Sequence, residues 1–202
     1  MKTSVIYYTD GRLAKEKPDI QRYCLNKLWD NCPQDMSIVE VFQSDTTPRN
    51  LKQMFINIMC AVGQSDAEYI YLAEHDVLYP PHYFKEIEEE FDFQYESYGY
   101  YLDGRGYYKR HGKPLSAFCG RKDAWLDFCD AQLMEIYDRG SNKWSEPQAE
   151  NWHIKRRTSA LPYVDVRHGG NITGGRQGKE YRQDIPYWDR ASKLWEAIGC
   201  TA

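Results

Sequence analysis

The sequence predicts a single-domain α/β protein with a mostly parallel central sheet and helices on both faces. Two observations point there. First, runs of β-branched and aromatic residues alternate with stretches of helical period through the first 73 residues, and the connections are too long for hairpins. Second, no Gly/Ser/Pro-rich linker or shift in composition divides the 202 residues, a length that supports one sizeable core.

The elements follow in order. TSVIYY (3–8) reads as a buried strand, and TDGR after it carries turn chemistry. Pro18 and Asp19 open a helix with Ile20, Tyr23, Cys24 and Leu28 on one face, ending near Asn31-Cys32-Pro33. SIVEVF (37–42) is a second strand. Thr47 is the expected N-cap of the next helix, with Pro48 in its first turn and Leu51, Met54, Phe55, Ile58, Met59 and Val62 as its apolar stripe. EYIYLA (68–73) is the third strand. Beyond residue 80 the expected elements are an acidic helix over 81–90, strands over 98–102 and 115–119 flanking a Gly/Lys/Arg-rich loop, and a helix over 122–136. A helix from Pro147 to about Arg157, a strand over 162–166 and a closing helix over 188–198 complete the series.

Composition narrows the class. Hydrophobic residues make up 42% and charged residues 28%, with 17 tyrosines, as in soluble globular proteins. No window has transmembrane length, and MKTSVIYYTDGR runs directly into a strand without a secretory pattern. The six cysteines (24, 32, 60, 119, 129 and 200) have no CxxC spacing and several lie on apolar faces. The expectation is therefore a reducing cytoplasm and no zinc site. A net charge of −4 argues against a protein that coats nucleic acid, although basic runs at 105–113, 153–157 and 176–182 suit an anionic ligand.

Ligands of parallel sheets bind at the carboxyl ends of the strands. Thr9 and Asp10, Gln43 to Asp45, and Glu74 to Asp76 all fall on that edge. In YIYLAEHDVLYPPHYF (69–84) an apolar run stops abruptly on Glu74, His75 and Asp76. Burying such groups unpaired is costly, whereas carboxylates at a strand end suit Mg²⁺ or Mn²⁺. In VDVRHGGNITGGR (164–176) another strand ends on His168 and enters a Gly-rich loop; Mn²⁺ accepts an imidazole, so Asp76 and His168 complete one site if the two strand ends meet. The structural alternative for His168 is a hydrogen-bonded loop histidine. No GxGxxG or GxxxxGK[ST] follows the first strand, which removes support for a dinucleotide fold or a P-loop.

The stretch NIMCAVGQSDAEYIYLAEHDVLYPPHYF (57–84) resembles the core signature of GT-A-fold, family-2-like glycosyltransferases, in which an asparagine-bearing helix leads to a strand ending in a DxD motif. Here the motif is Glu74-His75-Asp76, with Glu in place of the first Asp, and Asn57 stands where the family commonly has an asparagine. FCGRKDAWLDF (118–128) is similar to a segment lining the acceptor and donor-sugar pocket. SEPQAENW (145–152) resembles the acidic motif that supplies the base in inverting members, and His168 resembles a late metal-binding histidine.

The resemblance implies a metal-dependent enzyme that moves a sugar from a nucleoside-diphosphate sugar to a hydroxyl. Residues 1–80 would form the nucleotide-binding half and 81–202 the acceptor-binding half. Asp76, His168 and Glu74 would hold Mn²⁺ or Mg²⁺, which neutralises the departing nucleoside diphosphate. Thr9, Asp10 and Asp45 would line the base and ribose edge beside Asn57, and Arg12, Arg49, Lys52 and Arg176 would meet phosphates. Glu146 is the expected general base and Glu150 the second choice, because a carboxylate at a helix N-terminus is held in place and ionised; a plain helix cap is the competing role for Glu146. ESYGYYLDGRGYYKRHGK (96–113) interleaves tyrosines with Arg105, Lys109, Arg110 and Lys113, which suits sugars and nucleobases alike. The acceptor is thus a glycan, a small molecule or a hydroxymethylated DNA base. Two alternatives remain: a nucleotidyltransferase, for which the expected Gly-rich phosphate loop is missing, and a non-catalytic carbohydrate or nucleic-acid binding module.

Overall fold

The computed structural model describes residues 1–9, 12–42, 50–140, 145–168 and 180–200, with backbone alone at Arg12, Phe42 and Arg139. Strand β1 (Thr3–Thr9) leads to the short helix α1 (Arg12–Glu16) and to α2 (Pro18–Asn31), whose proline occupies the first turn, where its missing N–H has no partner to lose. After β2 (Ser37–Phe42), helix α3 runs from Leu51 to Gln64. Its cap is Asn50 and not Thr47: the Asn50 backbone is extended and its side chain accepts from the Gln53 N–H at 2.8 Å. Thr47 and Pro48 lie outside the described residues. Strand β3 (Tyr69–Glu74) completes a β-α-β-α-β unit, with β1 between β2 and β3 and parallel to both.

The remaining elements are β4 (Val77–Leu78), β5 (Phe93–Glu96), β6 (Gly99–Asp103), β7 (Gly106–Lys109), β8 (Phe118–Arg121), α4 (Lys122–Arg139), β9 (Ile154–Arg157), β10 (Tyr163–Val166) and α5 (Ala191–Ala197). They build two sheets. The central one has the order β2-β1-β3-β8-β5-β9; β8 runs antiparallel to both its neighbours and the other three pairings are parallel. The second has the order β4-β10-β6-β7, with β10 parallel to β6 and antiparallel to β4. The sequence alone does not mark β5, β7 or β9, and the expected strand over 115–119 is a 3-10 turn (Leu115–Ala117) running into β8.

Strand alternation decides what each face buries. Ile6, Ile70 and Leu72 point toward Phe55, Ile58 and Val62 of α3 and Trp125 and Phe128 of α4. Val5, Tyr7, Tyr69, Tyr71 and Ala73 point the other way, toward Leu28 of α2, Ile87 and an aromatic wall of Tyr79, Tyr83, Phe84 and Phe91. Helices therefore cover both faces. Helix α2 also serves the second sheet, because Ile20 and Cys24 pack with Leu78, Leu102, Val164 and Val166 and with Leu194 and Ile198 near the C-terminus.

Two expected helices do not form. Residues 81–90 are irregular: His82 takes a left-handed backbone (φ 61°), and both Tyr83 and Phe84 are buried although adjacent in sequence. Tyrosines of β3 satisfy the backbone that a helix would have paired internally. Tyr71 donates to the Lys85 carbonyl at 3.1 Å, and the Tyr69 hydroxyl both donates to the Phe91 carbonyl and accepts from its N–H at 3.3 Å. The stretch after Pro147 closes a turn, with the Asn151 N–H on the Gln148 carbonyl at 3.1 Å, and then becomes β9. Trp152 packs edge-on against Phe93 and Phe128, and pairing with β5 carries Arg157 to the buried Glu96 at 2.9 Å. Glu96 is 1% exposed and also accepts from the Tyr98 and Ser159 N–H groups. A helix would forfeit that pairing.

Three substitutions check this packing. Arg157→Met leaves Glu96 buried without its cation and is expected to cost about 3–5 kcal/mol in urea denaturation. Gly120→Ala places a Cβ 2.5 Å from the Phe93 ring and 2.8 Å from Trp125 Nε1, so thermal unfolding should show a loss of about 1–3 kcal/mol. Gly63→Ala in α3, where nothing lies within 4 Å, should instead be neutral or stabilising by up to about 1 kcal/mol.

Candidate metal centre

Strand β3 leaves the central sheet at Glu74 and the chain enters the second sheet at Val77, so His75 and Asp76 form the turn between them. The backbone there is held from two sides. The Val166 N–H donates to the Asp76 carbonyl at 2.8 Å, as β10 pairs Asp165 with Val77. The Tyr79 hydroxyl accepts from the Glu74 N–H at 3.1 Å and donates to the Ser116 carbonyl at 3.1 Å. Two residues past the end of β10, His168 brings Nε2 to 3.3 Å from Asp76 Oδ2. Both side chains are buried, Asp76 at 7% exposure and His168 at 6%. The donor atoms of His75, Asp76 and His168 all lie within 4.8 Å of one another, and His75 Nδ1 is buried with no hydrogen-bond partner among the described residues.

Charge around this group is concentrated. The Tyr8 hydroxyl, opposite Glu74 in the β1–β3 register, donates to the Glu74 carboxylate. Burial, with the Asp76 carboxylate nearby, pushes Glu74 up to about 7. Asp165, 3% exposed, forms an ion pair with Arg110 and lies 3.6 Å from the Arg167 guanidinium. Burial still raises it above the ordinary carboxylate range, against the pull of Arg110. Both guanidinium groups lie 4.7 Å from the Tyr101 ring centroid. Among the described residues, three carboxyl groups thus lie beside two guanidinium groups, and the upward shifts of Glu74 and Asp165 reflect how unfavourable further negative charge is there.

The residues singled out in the sequence have separate fates. Asp76 and His168 meet; Glu74 adjoins them but is bonded to Tyr8. Thr9 is buried at the carboxyl end of β1, and Arg12 opens α1. Asn57, half-buried on α3, accepts from Gln53 Nε2 at 2.8 Å. The Lys52 ammonium lies 4.2 Å from the centre of the Tyr137 ring on α4. Asp10, Asp45, Arg49 and Arg176 lie outside the described residues. Glu146 is half-buried and Glu150 is exposed in the turn before β9; with no helix beginning at Pro147, the dipole argument for an ionised base there falls. Sequence reasoning missed the partnership of Arg110 with Asp165, for which the one signal is an aspartate in the middle of the apolar run PYVDV.

All six cysteines are free thiols, and no helix among the described residues is long and apolar enough to cross a membrane. No protein-family model matches the chain, and no curated protein matches its sequence. Solved structures do resemble it. A glycosyltransferase involved in the glycosylation of the major capsid of PBCV-1 superposes with a TM-score of 0.50 at 7% identity, covering 82% of this chain and 92% of that one. Drosophila β-1,4-galactosyltransferase 7 (D211N), complexed with manganese, UDP-Gal and xylobiose, gives 0.43 at 11% identity over 77% of this chain and 65% of that one. The inositol-1-phosphate CTP transferase of T. maritima gives 0.48 at 12% identity over 100% and 98%. With its mostly parallel central sheet, helices on both faces and a β3 that ends in the polar turn, the chain has the GT-A-like fold of glycosyltransferases.

Proposed function

We propose that this protein is a single-domain, metal-dependent glycosyltransferase that moves a sugar from a nucleoside-diphosphate sugar to a hydroxyl of a glycan or small-molecule acceptor. The observation that carries this reading is the meeting of Asp76 and His168, 3.3 Å apart, at the carboxyl edge of the parallel strands of a GT-A-like fold. The donor set fits a divalent cation: buried, convergent, and set among more carboxylates than guanidinium groups. A bound Mn²⁺ or Mg²⁺ supplies neutralisation of the charge that builds on the leaving diphosphate.

Around that point the chain's own residues divide the work. Asp76 and His168 hold the cation, while Glu74, on the central-sheet side of them, is bonded to Tyr8. By the resemblance, Thr9, Asp10, Asp45 and Asn57 are assigned to base and ribose and Arg12 and Arg176 to the phosphates; of these only Thr9 and Asn57 have described side chains. The resemblance of SEPQAENW alone keeps Glu146 as the proposed base for the acceptor proton, with Glu150 the second candidate. The half-buried rings of Tyr101 and Tyr181 flank the buried Tyr108, tilted at 5.1 Å and edge-on at 5.3 Å, and Arg105 lies 4.6 Å from the Tyr181 ring; partly exposed tyrosines beside an arginine support a saccharide acceptor.

Incubation with a panel of sugar nucleotides and Mn²⁺ tests the reading: nucleoside diphosphate should be released, faster with acceptor. Pyrophosphate release from a nucleoside triphosphate would assign a nucleotidyltransferase, and binding without turnover a non-catalytic module. Asp76→Asn is expected to lower turnover by about 10²-fold or more with an unchanged circular dichroism spectrum. Glu146→Gln should lower kcat by about 10²–10⁴-fold if the reaction inverts configuration, with Glu150→Gln close to wild type; a fully active Glu146→Gln enzyme would remove Glu146 from the mechanism.

A further inference from the structure

The three donors at the turn are not the set that the strand-end motif suggests. Glu74, the first residue of the motif, is absent from the convergent group, and its carboxylate accepts from the Tyr8 hydroxyl. His75, the middle residue, is in the group, and its Nδ1 is buried with no hydrogen-bond partner among the described residues. In a continuing strand His75 and Asp76 would point to opposite faces. The strand has ended, however, and the Val166 N–H fixes the Asp76 carbonyl, so successive side chains converge on one point. Donors that share an ion at about 2.1 Å stand roughly 3 Å apart in adjacent positions. The 3.3 Å between Asp76 Oδ2 and His168 Nε2 is that spacing, and His75 offers a ring nitrogen within 4.8 Å of both.

Building on the cation site proposed above, we infer that His75 is the third protein ligand and Glu74 is not a ligand, so that the site offers two imidazoles and one carboxylate and takes a transition-metal dication in preference to Mg²⁺ or Ca²⁺. The chemistry of the donors sets this preference. Mg²⁺ and Ca²⁺ take oxygen ligands, and Mg²⁺ gives up its waters reluctantly, whereas imidazole suits Zn²⁺, Fe²⁺, Co²⁺ and Ni²⁺ and is accepted by Mn²⁺. Three ligands from one side leave the remaining positions open toward substrate oxygens. Tyr8 keeps Glu74 engaged on the β1 side, which prevents the set from becoming oxygen-rich.

The test is metal binding, read separately from turnover. Mn²⁺ titrations followed by electron paramagnetic resonance, with and without UDP, and Co²⁺ titrations followed by visible absorption are run on the full chain and on variants whose folding is checked by circular dichroism. His75→Ala should weaken Mn²⁺ and Co²⁺ binding by about tenfold or more. Glu74→Gln, which removes nearby charge but no ligand, should weaken both by less than His75→Ala does, and Mg²⁺ should displace Mn²⁺ only in large excess. Pulsed resonance on the wild-type Mn²⁺ complex needs no variant: signals from two coordinated imidazoles are expected, and one would overturn the assignment. So would Glu74→Gln weakening the metal while His75→Ala does not, Mg²⁺ binding as tightly as Mn²⁺, or no Mn²⁺ or Co²⁺ binding in either condition. If Asp76→Asn and His168→Ala abolish binding and His75→Ala does not, the ligand assignment fails while the glycosyltransferase reading stands. His75-dependent binding without turnover of any sugar nucleotide gives the reverse.

Discussion

The molecule depends on one passage of chain, the two residues by which it leaves the central sheet and enters the second. A buried carbonyl at such a crossing must find a donor, and the Val166 N–H supplies it to Asp76 at 2.8 Å. That bond fixes the register of β10 against β4, and the register in turn delivers His168 to the Asp76 carboxylate. Local structure, sheet pairing and site geometry are thus one constraint. A change in β10 register would take His168 away from the buried Asp76 carboxylate.

The same economy of hydrogen bonding explains the tyrosines. A tyrosine presents a large apolar body with a polar tip, so it can sit in a core and still serve the backbone beyond it. Tyr69 and Tyr71 of β3 bond the irregular segment that follows the turn, and Tyr79 bonds both the end of β3 and the 3-10 turn before β8. The segment therefore needs no helix of its own. Its rings cover one face of the central sheet and leave the carboxyl edge of β1 and β3 to polar groups.

Buried charge follows a comparable rule with a different outcome at two places. Glu96 is enclosed by Arg157, Ser159 and the Tyr98 N–H, which compensate it fully and tie β9 to β5. Glu74, Asp76 and Asp165 share Arg110, Arg167 and Tyr8, which leaves negative charge in excess beside two imidazoles. The first arrangement is self-compensated; the second is the one proposed to take a cation. Desolvation makes the contrast large, since an uncompensated charge costs several kcal/mol in the interior, of order 3–5.

The sequence by itself determined the β-α-β-α-β unit, because each of its elements carries a complete local signal: Pro18 at a helix start, a helical stripe from Leu51 to Val62, and apolar runs that end on polar residues. It also singled out Asp76 and His168, since charge placed where an apolar strand stops has few structural explanations. The tertiary structure alone decided the rest. The segments after Pro80 and Pro147 hold helix-like spacings, yet hydroxyls from β3 and the Glu96–Arg157 pair, contributed from elsewhere in the chain, make extended backbone the better-satisfied state. The convergence of His75 with Asp76 and His168 was equally invisible, because it depends on a turn closed by a strand roughly ninety residues away in sequence, and periodicity carries no information about a partner at that distance.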